Sequence, residues 1–171
     1  MNTKEIVQKA EDLALKYNSE GYIPFPFDKI AKDNEDLEIY YSDGLDPNIS
    51  GGILFDSKEK VYPILVNNIK SEEKIQLAIA HELGHYFLHK EYIRSRKTLV
   101  DTEKSLDCQI SFGEDYSKYE IEANIFATSL IMPEKFVQSV WFKLKNVERC
   151  AKVFKVPVSI MSIRLEGLKL L

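Results

Sequence analysis

Ile79-Ala80-His81-Glu82-Leu83-Gly84-His85-Tyr86-Phe87-Leu88-His89 is the stretch from which the rest of the chain is read. All three histidines of the 171-residue sequence fall within it, in an apolar run that contains no proline. On a helix, at about 100° per residue, positions four apart lie about 40° apart on one face, one turn apart. His81 and His85 therefore offer two imidazoles to one metal ion. Glu82 stands where its carboxylate reaches a water held by that ion, the arrangement that gives the H-E-x-x-H pattern its chemistry in zinc peptidases.

Working outward toward the N-terminus, Ser71 followed by Glu72 and Glu73 supplies an N-cap and an acidic first turn, so the metal helix is expected from there to about His89 or Lys90. Gly51 to Phe55 and Val61 to Val66 flank a polar turn and read as a hairpin. Pro63 lacks a donor, which places it at a sheet edge or a bulge. Leu37 to Tyr41 alternates like a strand, a short helix is expected near 28–33, and Ile6, Val7, Ala10, Leu13, Ala14 and Tyr17 form the apolar stripe of a helix over about 3–17.

In the other direction, residues 91–116 read as irregular, and a helix is expected from about Ser117 to Ile131. Pro133 suits the first turn of another helix, and two short helices near 146–154 and 158–166 surround Lys155-Val156-Pro157 in a helix-turn-helix-like outline. The expected class is thus α+β, mainly helical, with a small three-stranded antiparallel or mixed sheet packed on the H-E-x-x-H helix. One domain is expected over 1–171, with a C-terminal helical subregion over about 134–171.

Composition narrows the function classes. With 44% hydrophobic residues, 29% charged residues and a net charge of −4, the chain resembles ordinary soluble globular proteins. No 18-residue apolar run is present to span a membrane, and the first residues carry no apolar signal core, so a cytoplasmic location is expected. Cys108 and Cys150 form no C-x-x-C pair and argue against a disulfide framework or a cysteine zinc site. Residues 135–171 hold eight Lys or Arg against Glu148 and Glu166. The whole chain is acidic, however, and no Asn, Gln or Arg cluster opens the second short helix, so direct nucleic-acid binding is not expected.

A catalytic zinc site needs a third protein ligand, with the fourth position left to water. His89 shares a face with His85, and three collinear side chains cannot reach one ion with tetrahedral angles, so His89 is a supporting residue or a wall of the cleft. A better candidate comes from Tyr119-Glu120-Ile121-Glu122-Ala123-Asn124. Glu120 and Asn124 share a helix face, so one can bind metal while the other hydrogen-bonds a ligand histidine. Glu122 points about 200° away from Glu120. Ser117-Lys118-Tyr119-Glu120 also spells a capping box, in which Glu120 merely caps its helix.

His81-Glu82-Leu83-Gly84-His85-Tyr86-Phe87-Leu88-His89, Glu120 to Ala127 and Leu130-Ile131-Met132-Pro133 together resemble the ImmA/IrrE family of metallopeptidases. That resemblance extends to Gly51-Gly52 and to Ala151 through Pro157. It implies a gluzincin-like zincin fold, His81, His85 and Glu120 as ligands of one Zn²⁺, Glu82 as the base, and Asn124 supporting a ligand. Two histidines and a carboxylate also accept Mn²⁺ or Fe²⁺. Family members cleave helix-turn-helix repressors, often encoded by mobile elements or prophages. The implied activity is therefore that of an endopeptidase acting as an anti-repressor on a basic DNA-binding protein. Seven acids and two lysines between Asp101 and Glu122 suit such a partner.

An extended substrate is expected to pair with an edge strand at Gly51, Gly52 and Ile53, where the glycines permit close backbone approach. Tyr86, Tyr116, Tyr119 and His89 are the candidate oxyanion donors. The alternative is a binding protein that sequesters its partner without cutting it and uses the metal as a structural staple.

Overall fold

The computed structural model describes residues 1–95 and 118–171, together with the backbone of 99–102. Helix α1 (Thr3–Asn18) begins with a reciprocal cap: Asn2 accepts from the Glu5 amide while the Glu5 carboxylate accepts from the Asn2 amide. It buries Ile6, Ala10, Ala14 and Tyr17, the stripe that the periodicity picks out. After the short helix α2 (Phe27–Asp33) come strands β1 (Leu37–Ser42), β2 (Ile49–Ile53) and β3 (Tyr62–Asn67), then helices α3 (Glu72–Leu88) and α4 (Lys90–Ser95) and strand β4 (Leu99–Thr102). Helices α5 (Lys118–Ile131), α6 (Glu134–Leu144), α7 (Val147–Phe154) and α8 (Val158–Gly167) complete the described residues. No helix among those residues is long and apolar enough to cross a membrane.

The sheet is mixed, in the order β1-β3-β2-β4, with β1 parallel to β3 and β2 antiparallel to both β3 and β4. The three expected strands are present, and a fourth joins them from the stretch read as irregular. Helix α4 is a second departure from that reading, while residues 103–117 and the Ser117 cap lie outside the described residues.

Two further expectations change with the order of the strands. Gly51, Gly52 and Ile53 do not form an edge, because β4 pairs with them through Asp101, Val100 and Leu99. Pro63 is not at an edge either: β3 lies between β1 and β2. Its carbonyl accepts from Leu54, one residue beyond the end of β2, so the donor that proline lacks falls where the ladder is already running out.

Helix α3 passes through the middle of the molecule, and its residues 76–86 are all buried. Side chains cover it from the sheet, with Ile53, Ile64 and Val66, and from α5, with Phe126, Ala127 and Leu130, while α1 packs Ala10 and Ala14 into the same core against α5. A helix buried all round needs apolar residues all round, which is why the run here is continuous rather than striped. Gln76 is the polar exception among the buried residues of its first turns, and its amide is fully used. Its Oε1 accepts from the Phe25 amide at 2.9 Å, and its Nε2 donates to the carbonyls of Phe154 and Lys155 at 2.9 and 3.0 Å.

The C-terminal helices are tied to the same body. Arg164 on α8 donates to the Met132 carbonyl, the Ser129 hydroxyl and the Glu11 carboxylate. Lys155 pairs with Glu72 at the start of α3. Two of the eight basic residues in this region therefore serve internal contacts.

At the far end of α3, Asp36 accepts from the Tyr86 hydroxyl at 2.5 Å and from Lys90 at 2.7 Å. Partial burial pushes the Asp36 carboxyl up, but the hydrogen bonds from Lys90 and Tyr86 outweigh it and hold the group below the usual carboxylate range. Because the folded value is depressed, this stabilisation is present above the unfolded value of about 3.9 and is lost as pH falls through the folded one. The carboxylate is 39% exposed, so solvent screening limits its worth. Asp36→Asn is expected to cost no more than about 1 kcal/mol at pH 7 in urea unfolding, with the difference from wild type shrinking as pH falls below about 3.9.

Candidate metal centre

Helices α3 and α5 cross where α3 carries Gly84. A methyl group there would lie 2.9 Å from the Ala123 Cα and 3.0 Å from its carbonyl oxygen, so only glycine allows the two backbones to come this close. The crossing lies between the two histidines of α3 and sets Glu120 and Asn124 of α5 against them.

The three donors form a compact triangle. His81 Nε2 and His85 Nε2 are 3.0 Å apart, and the Glu120 carboxylate straddles them, with one oxygen 3.2 Å from His81 and the other 3.4 Å from His85. Metal–ligand bonds of about 2.0–2.2 Å in tetrahedral geometry put neighbouring donors about 3.3–3.6 Å apart. The observed spacings differ from these by a few tenths of an ångström, so the group fits a single divalent cation. Both histidines are fully buried, while the Glu120 side chain keeps 19% of its surface exposed, the side from which a further ligand can approach. Burial pushes the Glu120 carboxyl up, yet the two imidazoles that face it hold it well below the usual carboxylate range. Glu120 is thus an anion in place among nitrogen donors, as a cation site requires.

The residues behind the two histidines differ. Asn124 Oδ1 lies 2.8 Å from His81 Nδ1 and accepts its proton. His89 does not reach the donor triangle. Its Nδ1 is 3.1 Å from His85 Nδ1, and its Nε2 is 2.9 Å from a Glu122 oxygen. Burial pushes the His89 imidazole pKa down, against the opposing pull of Glu122. The Glu122 carboxyl is itself raised by burial, but the hydrogen bond from His89 brings it below its ordinary range.

Glu82 is buried on α3 beside β2. A methyl group on Gly51 would lie 3.8 Å from a Glu82 oxygen and only 2.9 Å from the Leu65 carbonyl. Gly51 therefore lets β2 press against β3, while toward α3 a methyl group would make only ordinary contacts. Of the candidate oxyanion donors, Tyr86 gives its hydroxyl to Asp36, and Tyr116 lies outside the described residues. Tyr119 sets its ring edge-on to His89, 5.0 Å between centroids, and stacks on Tyr92. His89 and Tyr119 also border a cleft of about 540 Å³ walled by Lys90, Tyr92 and Ser95.

Glu122 is the residue that helical spacing missed. Turned away from Glu120 by its position, it meets His89 because α5 lies across α3 rather than in line with one donor. Two titratable residues without a role, one on each of two helices expected to pack together, were the available signal.

A family model described as the IrrE N-terminal-like domain, of a peptidase family, matches residues 35–166. Over 118 residues the chain is 30% identical to the Metallopeptidase ImmA of Bacillus subtilis (strain 168), covering 68% of this chain and 62% of that protein. A solved structure of a Mycobacterium tuberculosis transcriptional regulator superposes with a TM-score of 0.62 at 14% identity, over 94% of this chain and 46% of that one, a likeness of fold alone. The chain therefore spans less than two thirds of the length of either protein.

Proposed function

Because the chain belongs to the IrrE N-terminal-like domain family of metallopeptidases, we propose that it is a zinc-dependent endopeptidase that cuts a protein partner, a basic helix-turn-helix repressor. The observation that carries the activity is the triangle of His81, His85 and Glu120, with Glu82 next to His81 on the same helix. A bound divalent cation supplies Lewis-acid chemistry, polarising a carbonyl oxygen and acidifying water. His81, His85 and Glu120 would hold it, and Asn124 orients the His81 ring through its Nδ1 proton.

Glu82 performs the proton transfers. Its carboxylate accepts a proton from the attacking water as the new C–O bond forms, then delivers that proton to the amine nitrogen as the C–N bond breaks. Burial keeps this carboxylate away from bulk water, so the proton it takes up is retained for the leaving group. As for the partner, the family resemblance supports a repressor, and the surplus of acids from Asp101 to Glu122 supports a basic one.

The test uses the purified chain and the repressor encoded beside its gene. One divalent ion per chain is expected by elemental analysis, with new peptide termini in the repressor by mass spectrometry. Stripping the ion with a chelator should abolish cleavage, and added Zn²⁺ should restore it. A folded chain that takes up no divalent ion, or cleavage that continues undiminished in excess chelator, would overturn the reading.

A further inference from the structure

We propose that Glu122 and His89 form a positioning relay that sets the tautomer of His85. This inference rests on the reading of His85 as a metal ligand. His85 turns Nε2 toward His81 and Glu120 and Nδ1 toward His89. For Nε2 to present a lone pair to a cation, the ring proton of neutral His85 must sit on Nδ1. Among the described residues that proton has one partner at hand, His89 Nδ1 at 3.1 Å, and His89 accepts it only if its own Nδ1 is bare. The His89 proton then belongs on Nε2, 2.9 Å from Glu122. A carboxylate accepts and never donates when ionised, so of the two neutral tautomers of His89 Glu122 pairs with only this one, and the choice propagates through two rings to the ligating nitrogen.

Metal-bound histidines ordinarily give their second proton straight to a carboxylate, carbonyl or water, as His81 does to Asn124. Around His85 that function is drawn out over two residues, both buried, with His89 5% and Glu122 8% exposed. Without the carboxylate, His89 is free to carry its proton on Nδ1, where it faces the proton of His85. One of the two must then give way, and if His85 does, its proton moves to the nitrogen that should hold the ion.

Two measurements on the whole chain test the relay. Chelator competition with Zn²⁺ should show affinity about 10–100-fold weaker in Glu122→Ala than in wild type, with near-wild-type affinity in Glu122→Gln, whose carbonyl oxygen can still accept. Nitrogen-15 spectra of the imidazoles in metal-loaded wild type should show His85 protonated at Nδ1 and His89 at Nε2, and Glu122→Ala should mix the His89 tautomers. A role in packing alone would not move that spectroscopic signature. Wild type that binds Zn²⁺ while carrying the His89 proton on Nδ1 overturns the relay, even if Glu122→Ala fails to fold. Zn²⁺ affinity within threefold of wild type in a folded Glu122→Ala overturns it as well. Wild type that binds no Zn²⁺ at all removes instead the reading of His85 as a ligand.

Discussion

Glu82→Gln protein is expected to bind one divalent ion as tightly as wild type and to cleave its partner about 10²–10⁴-fold more slowly, a loss of roughly 2.7–5.5 kcal/mol in transition-state stabilisation. The amide has the size of the carboxylate but cannot take a proton from water. Because Glu82 is not among the three donors, metal content and chelator competition should be unchanged. The substitution also removes a charge from a site that is 1% exposed, so thermal stability should hold or rise. Cleavage within about threefold of wild type would assign the base elsewhere. Undiminished inactivation of the repressor without new peptide termini would identify a protein that acts by sequestration.

Gly84→Ala should have the second large effect, on assembly of the site rather than on its chemistry. The added carbon would meet backbone atoms of Ala123 at 2.9 and 3.0 Å, and backbone cannot swing aside as a side chain does. Alanine would otherwise favour a helix by about 1 kcal/mol over glycine, so the sign of the change tests the contact directly. Overpacking of this kind costs about 1–3 kcal/mol, and moving α5 away from α3 takes Glu120 and Asn124 with it. We expect a lower denaturant midpoint together with metal affinity at least about tenfold weaker. Gly167→Ala is the control, since a methyl group there meets nothing within 4 Å. A Gly84→Ala chain as stable as wild type would mean that the helices tolerate the wider spacing.

Much of this was legible in the sequence because much of it is local. The pairing of His81 with His85 follows from four residues of helix, and the partnership of Glu120 with Asn124 from four more. Their convergence depended on two helices finding each other, which the family resemblance implied and periodicity alone could not. The edge at Gly51 to Ile53 was misread for the same reason. Four residues from Leu99 to Thr102, with no strong alternation of their own, close that edge from a distance in sequence at which spacing says nothing. Pro63 misled in the opposite direction: a rule about missing donors pointed to an edge, whereas the interior strand holds it where its neighbour ends. Glu122 needed the crossing of the helices, which no pattern within either one encodes.

Gln76 carries a consequence in the time domain. Its amide is satisfied by Phe25, 51 residues earlier, and by Lys155, 79 residues later. At about 5–20 residues per second of synthesis, roughly 4–16 s separate the appearance of Gln76 from that of Lys155. A helix equilibrates in about a microsecond. Helix α3 of a nascent chain therefore forms and melts many times over while the Gln76 amide has one of its three partners. The other two, the carbonyls of Phe154 and Lys155, arrive only with the end of α7, so the first turns of α3 gain their full set of buried hydrogen bonds only after that helix has been made.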